Sequence, residues 1–266
     1  MRRPLLSCGI LFGAASLLAQ TWKLPPSAPL KESGPRTYRF TVVYNTANRI
    51  GEIVQRQRLT GEYTRGLGDR QVSWKNVMQA EADGASAPFG TDQRRDFMEG
   101  FRYRDDLAGT MKPDFFKVFP PSAVFERNLI WDTGMIEDFG QNYFDHLELN
   151  KPYKVAADQS LKMQSVGTFN NHNVTLTWLG NSKRNGQDCA LIQYQAFFNP
   201  LEISNAGMNM KARSDYWGDI WVSLATRQIE YATLYENVAG EMKITGQDAP
   251  QPINVFRMGT FEPMLR

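Results

Sequence analysis

Few residues in this chain are of types that do chemistry, and their spacing gives them little to do together. Two histidines occur, His146 and His172. Asp145 and Glu148 flank His146, but adjacent residues on a helix point in different directions and cannot readily share a metal. We read His146 as a helix-end histidine near surface carboxylates. His172 lies in Asn170-Asn171-His172-Asn173 and reads as turn filler. The sequence has no Gly-x-Ser-x-Gly elbow, no phosphate-binding glycine loop, no His-Glu-x-x-His and no EF-hand calcium loop. Cys189 starts an apolar run, Cys189-Ala190-Leu191-Ile192, with no cation beside it. A free cysteine in that company is an inert small hydrophobe. No cofactor, no metal and no catalytic residue is assigned. One enzymatic alternative stays open. A hydrolase of the glycosidase kind needs two carboxylates facing each other across a cleft, about 5–10 Å apart. Asp132 with Glu137 or Asp138, and Asp215 with Asp219, are the candidate pairs.

Aromatic residues offer more. The stretch Tyr216-Trp217-Gly218-Asp219-Ile220-Trp221 puts Trp217 and Trp221 on one face of a strand. Gly218 between them suggests a bulge or the close approach of another backbone. Trp178 and Tyr194 fall on neighbouring predicted strands. Trp178, Tyr194, Trp217 and Trp221 are therefore the candidate ligand-lining residues, suited to stacking a sugar or lining an apolar cavity. The competing reading is a plain hydrophobic core.

Extended segments must position these side chains. Val174, Leu176 and Trp178 alternate with Thr175, Thr177 and Leu179, which is the period of a pleated strand. Asn185-Gly186 supplies a turn, and Cys189–Phe198 returns with Ala190, Ile192 and Tyr194 on one face. Met208, Met210 and Ala212 alternate next, followed by Ile220, Val222 and Leu224. Ile229, Tyr231, Thr233 and Tyr235 continue the pattern. Segments near Met242–Ile244 and Ile253–Arg257 close the series. In the N-terminal half, Tyr38–Tyr44, Glu52–Arg65 and Gln71–Ala80 read as a β-meander, with a hairpin loop at Gly66–Asp69. Between the halves, Met135, Ile136, Phe139, Tyr143 and Leu147 recur at helical spacing, and Ser122 is a candidate N-cap. The fold class is mainly β: a curved antiparallel sheet, as a half-barrel, open barrel or sandwich, with a small helical insertion at about 122–148.

The ends of the chain set its expected destination. Met1-Arg2-Arg3, an uncharged stretch to Ala19 and a polar switch at Gln20 have the parts of a secretory signal peptide. Residues 1–19 are the expected signal, 20–36 a proline-rich extended leader, and 37–266 a single β-rich domain. Export to the periplasm or the extracellular space follows. The signal holds two of the 30 Lys and Arg and none of the 28 Asp and Glu, so the rest of the chain is electrically balanced. A nucleic-acid partner, which needs excess positive charge, is not expected. No later apolar run is long enough to span a bilayer, so no integral membrane segment is expected after processing. Cys8 lies too early for lipid attachment, and Cys189 alone cannot form an internal disulfide.

Residues 173–243 resemble secreted bacterial β-domains of unassigned function. The resemblance rests on the return strand Gly186-Gln187-Asp188-Cys189-Ala190-Leu191-Ile192, on Gly218–Leu224, and on Gln228-Ile229-Glu230-Tyr231. In outline these domains are similar to lipoprotein-carrier-like half-barrels of the periplasm. The chain departs from those carriers in its insertion at 122–148 and in lacking a helix after the last strand. The resemblance implies a curved sheet with an apolar concave face and brings no catalytic residue. The leading expectation is a non-enzymatic exported protein that holds an apolar small molecule or a partner segment against that face. A scaffold or assembly subunit is the third reading.

Overall fold

A computed structural model describes residues 23–24, 30–112, 114–155, 159–162, 167–204, 207–247 and 249–264. The expected signal segment lies outside them. The N-terminal strands are β1 (Arg36–Ala47), β2 (Ile53–Arg65), β3 (Gln71–Asp83), β4 (Gln93–Arg94) and β5 (Phe101–Arg104). Helices α1 (Leu107–Thr110) and α2 (Val124–Gln141) follow. The C-terminal strands are β6 (Pro152–Lys154), β7 (Gln159–Lys162), β8 (Gly167–Asn171), β9 (Thr175–Arg184), β10 (Gln187–Ser204), β11 (Met208–Ser223), β12 (Ile229–Ile244) and β13 (Gln251–Pro263). All belong to one antiparallel sheet with the path β4-β3-β2-β1-β13-β12-β11-β10-β8-β7. β5 adds to β3, and β9 carries β6 and pairs with β10.

The alternating patterns become the two faces of this sheet. Tyr38, Phe40 and Val42 of β1 are buried, and the residues between them are more exposed. The β1–β13 pairing joins the two halves, with Phe40 opposite Phe261 and Tyr44 opposite Arg257. Tyr38, Phe40, Tyr63, Trp74 and Phe261 fill one half of the concave face with mutually packed rings. Each such ring, fully buried, contributes about 1.5–3 kcal/mol.

Local chemistry sets the bends. The β9–β10 hairpin turns on Asn185 (φ 51°) and Gly186 (φ 75°), the left-handed pair its tight connection needs. β10 pairs with β9 over its first half and with β8 over its second. Between them a bulge at Ala196–Asn199 bends the strand and puts Phe198 at φ 63°. The buried Asn199 amide secures the bulge. It donates to the carbonyls of Ala196 (3.1 Å) and Ser214 (3.0 Å) and accepts from the His172 backbone N–H (2.8 Å).

The helical insertion is the single helix α2, followed by a 3-10 turn at Phe144–His146. Ser122 is not its cap. Ala123 holds that position, and no side chain caps the helix start. Leu129, Ile130, Ile136 and Phe139 bury one face of α2 against the sheet. Gly140 lets the helix approach closely: a Cβ there would lie 3.3 Å from Ile220 and Val222. The described parts of the proline-rich leader pack on the domain. Leu24 is buried, the Lys31 N–H donates to Thr226 O (2.9 Å), and Glu32 pairs with Arg65 (2.5 Å).

β12 corrects one expectation about faces. Ile229, Tyr231, Thr233 and Tyr235 were expected to share the apolar side. The β11–β12 register shifts between Trp221 and Val222, and beyond it Ala232 and Leu234 are the fully buried positions. Gly218 serves the close approach its sequence context suggests. A Cβ there would lie 2.1 Å from Thr233 O and 2.7 Å from Tyr194 Oη. We expect Gly218→Ala to destabilise the fold by about 2 kcal/mol or more. A lowered urea midpoint at unchanged slope will show it, and an unaltered midpoint will refute it.

Candidate functional site

α2 does not cover the whole concave face. Beside it, over the far ends of β10–β13, lies a cavity of about 610 Å³. On the helix side its wall includes Phe125, Trp131 and Met135; on the sheet side it includes Ile203, Val238 and Val255. Met111, Met135, Met208, Met210 and Met242 all contribute. Thioether side chains are flexible and polarisable, so such a wall adapts to ligands of different shape. The volume falls within the range of roughly 300–1,000 Å³ typical of small-molecule sites.

A buried charged cluster is set into this wall. Arg257 on β13 forks onto Asp132 of α2, with Nη1–Oδ2 at 2.5 Å and Nη2–Oδ1 at 3.0 Å. Its Nε donates to Glu236 on β12, and Ser214 Oγ donates to the other oxygen of Glu236. All three charged residues line the cavity. Burial pushes the Asp132 carboxyl up to about 6; Arg257 opposes this and Glu236 adds to it. Burial works against the charge on Arg257, yet Asp132 and Glu236 together hold its pKa well above the usual value.

A second buried link ties α2 to the sheet on the filled side. Arg65 Nη1 donates to Glu137 (2.6 Å), and Tyr63 Oη donates to the other Glu137 oxygen (3.0 Å). Burial raises the Glu137 pKa, and Arg65 pulls it back. The carboxylates proposed for a hydrolase are thus engaged separately. Asp132 is held by Arg257, Glu137 by Arg65, and Asp138 accepts from Asn142 (2.6 Å). Asp215 accepts from the Phe198 N–H (2.6 Å) and pairs with Arg213 (3.0 Å). Asp219 stands four residues along the same strand, about 13 Å away at the usual rise, too far for a glycosidase pair.

The four residues expected to line a ligand site divide between the two faces of the sheet, and none is on the cavity wall. Tyr194 is fully buried beneath α2, 5.5 Å from the Phe139 ring, and its hydroxyl donates to Thr233 O (2.8 Å). Trp178 is buried and donates to Gly180 O (2.8 Å). Trp217 and Trp221 alternate with the inward Tyr216, Ile220 and Val222, so they point to the convex side. There Trp217 stacks on Tyr235 at 5.9 Å, and Trp221 packs edge-on to Tyr231 at 5.4 Å. Glu236, Arg257 and the methionines are what sequence reasoning missed. The available signal was a charge at inward parity: Glu236 follows Leu234 by two, and Arg257 follows Val255 by two.

His146 stacks on Tyr153 with ring centroids 5.0 Å apart. Cys189 is buried, and burial raises its thiol pKa to about 11. Among the described residues, no helix is long and apolar enough to cross a membrane.

No known protein family matches the chain, and no curated protein matches it. Among solved structures, a chain from a study of lipid–protein interactions in lipovitellin aligns with 11% identity and a TM-score of 0.44. The alignment covers 89% of this chain and 25% of that one, so this chain spans a quarter of the neighbour's length. A likeness of that size carries no functional argument.

The buried cluster generates two predictions. Arg257→Met strands two carboxylates without a cation and should cost about 3–5 kcal/mol in urea unfolding; a near-neutral result would contradict the network. The second concerns pH. The folded pKa of Asp132, about 6, exceeds the ordinary carboxylate value near 4. The stabilisation linked to its proton is therefore complete below about pH 4 and is lost as pH rises through about 6. Relative to Asp132→Asn, the parent protein should lose stability between pH 4 and 7. A difference that stays flat over that window would rule this out.

Proposed function

We propose that this protein binds an apolar small molecule in the hollow between α2 and the far ends of β10–β13, and that it does so without catalysis. The observation that carries the reading is the cavity itself: about 610 Å³, walled mainly by aliphatic, aromatic and methionine side chains. A cavity of this size and lining suits a ligand of drug or lipid-tail dimensions. Asp132 and Glu137 are bonded to arginines of the sheet, which gives them an anchoring role between helix and sheet.

Export belongs to the same proposal. The basic start and uncharged stretch of residues 1–19 suit a cleaved signal, and a periplasmic or extracellular carrier of the half-barrel kind is the role that joins the two readings. Mass spectrometry of protein expressed from its full coding sequence should find a chain beginning near Gln20. An intact Met1 terminus on exported protein would argue against cleavage.

Binding is tested by calorimetric titration with dodecanol, which has a long apolar tail and no charge. Saturable binding is expected in the parent protein. Val238→Trp places a large ring in the hollow and should weaken that binding at least tenfold while the circular dichroism spectrum stays β-rich. Equal affinity in the two proteins would place the ligand elsewhere.

A further inference from the structure

We propose that the ligand is an amphiphile with an anionic head, a carboxylate or phosphate, and that Arg127 and Trp131 receive that head; this rests on the apolar-cavity reading above. Arg127 and Trp131 lie one helical turn apart on α2 and both line the cavity. Arg127 is 9% exposed. Among the described residues it forms no ion pair. Its Nη2 reaches only the Pro120 carbonyl, at 3.4 Å, and its Nε is buried with no hydrogen-bond partner. The carboxylate next to it in sequence, Glu126, forms an ion pair with Arg95 through Oε1 at 2.9 Å, and its Oε2 is buried without a hydrogen-bond partner. Phe116 backs both residues, 5.4 Å from the guanidinium carbon and 5.3 Å from the Trp131 ring. The Trp131 indole N–H is likewise buried and without an acceptor.

Two donors left unpaired on one face of a helix, one of them cationic, are costly unless something accepts from them. The other charged groups on the cavity wall already have partners. Arg257 is engaged through all three of its nitrogens by Asp132 and Glu236, and Asp138 accepts from Asn142. The Arg257 cluster carries two carboxylates for one guanidinium, so it disfavours a second anion. These facts orient the occupant: anionic head at Arg127 and Trp131, tail along the methionine-lined wall. A charge-assisted hydrogen bond in such a site is strong and directional.

The experiment compares dodecanoate, dodecyl phosphate, dodecanol and inorganic phosphate by calorimetry on the full chain. The two anionic amphiphiles should bind more tightly than dodecanol. Arg127→Met should weaken them by about 10- to 100-fold, a far larger loss than any it causes for dodecanol. Arg127→Lys should recover part of the loss. Trp131→Phe, which keeps the ring and deletes the donor, should weaken the anionic probes by severalfold and gives an independent reading if Arg127→Met does not fold. Inorganic phosphate alone should not compete. If dodecanol binds and neither variant discriminates between heads, the head assignment falls while the apolar cavity stands. If phosphate alone competes as well as dodecyl phosphate, the amphiphile is overturned in favour of a free anion. If no dodecyl probe binds, both readings fall.

Discussion

Burying one guanidinium between two carboxylates is the constraint on which the rest of this structure turns. Arg257 can sit inside the sheet only because Asp132 reaches it from α2 and Glu236 from the neighbouring strand. A hydrophobic substitute of similar size would fill the same space with less desolvation. What it would lack is direction: the fork of Arg257 accepts Asp132 in one orientation, and so fixes where along β13 the helix crosses. Glu137 and Arg65 make a second such fixed point. With two points set, the helix cannot roll or slide to fill the space beside it.

The concave face is therefore unequal by design of its side chains. On the β1–β3 side, Tyr38, Phe40, Tyr63 and Trp74 pack on other rings and are fully buried. On the β10–β13 side, the inward positions are Leu201, Ile203, Met210 and Val238, smaller or more pliable groups on strands that run beyond the helix. At one end of α2 Gly140 draws the backbone close to β11. At the other, Phe125 meets the Tyr44 ring at 4.7 Å. The hollow is what remains between a helix held in place and a sheet longer than the helix can cover.

Much of this architecture was legible in the sequence, and the boundary of legibility has physical causes. The strands from Val174 onward announce themselves because one face is apolar and the other is not, and Asn185-Gly186 marks its turn with two residues that accept positive φ. The helix is legible for the same reason. The site was not. A two-residue period separates faces, but it does not say which aromatic face is inward when both faces carry rings, as with Tyr216 and Trp217. The slip between Trp221 and Val222 then inverts the expected parity along β12. The Arg257 cluster joins strand residues to Asp132, 125 positions from Arg257, and no local pattern links them.

The pairing of β1 with β13 has a consequence in time. Asn45 donates its side-chain amide to the Phe256 carbonyl across 211 positions of chain, and every rung of that ladder spans a similar distance. Closing so large a loop earns no compensating contacts until the last strand is available. During synthesis the edge of β1 that faces β13 must wait until Gln251–Pro263 has been made, while its other edge can already pair with β2. Completion of the sheet thus depends on contacts between segments more than two hundred positions apart.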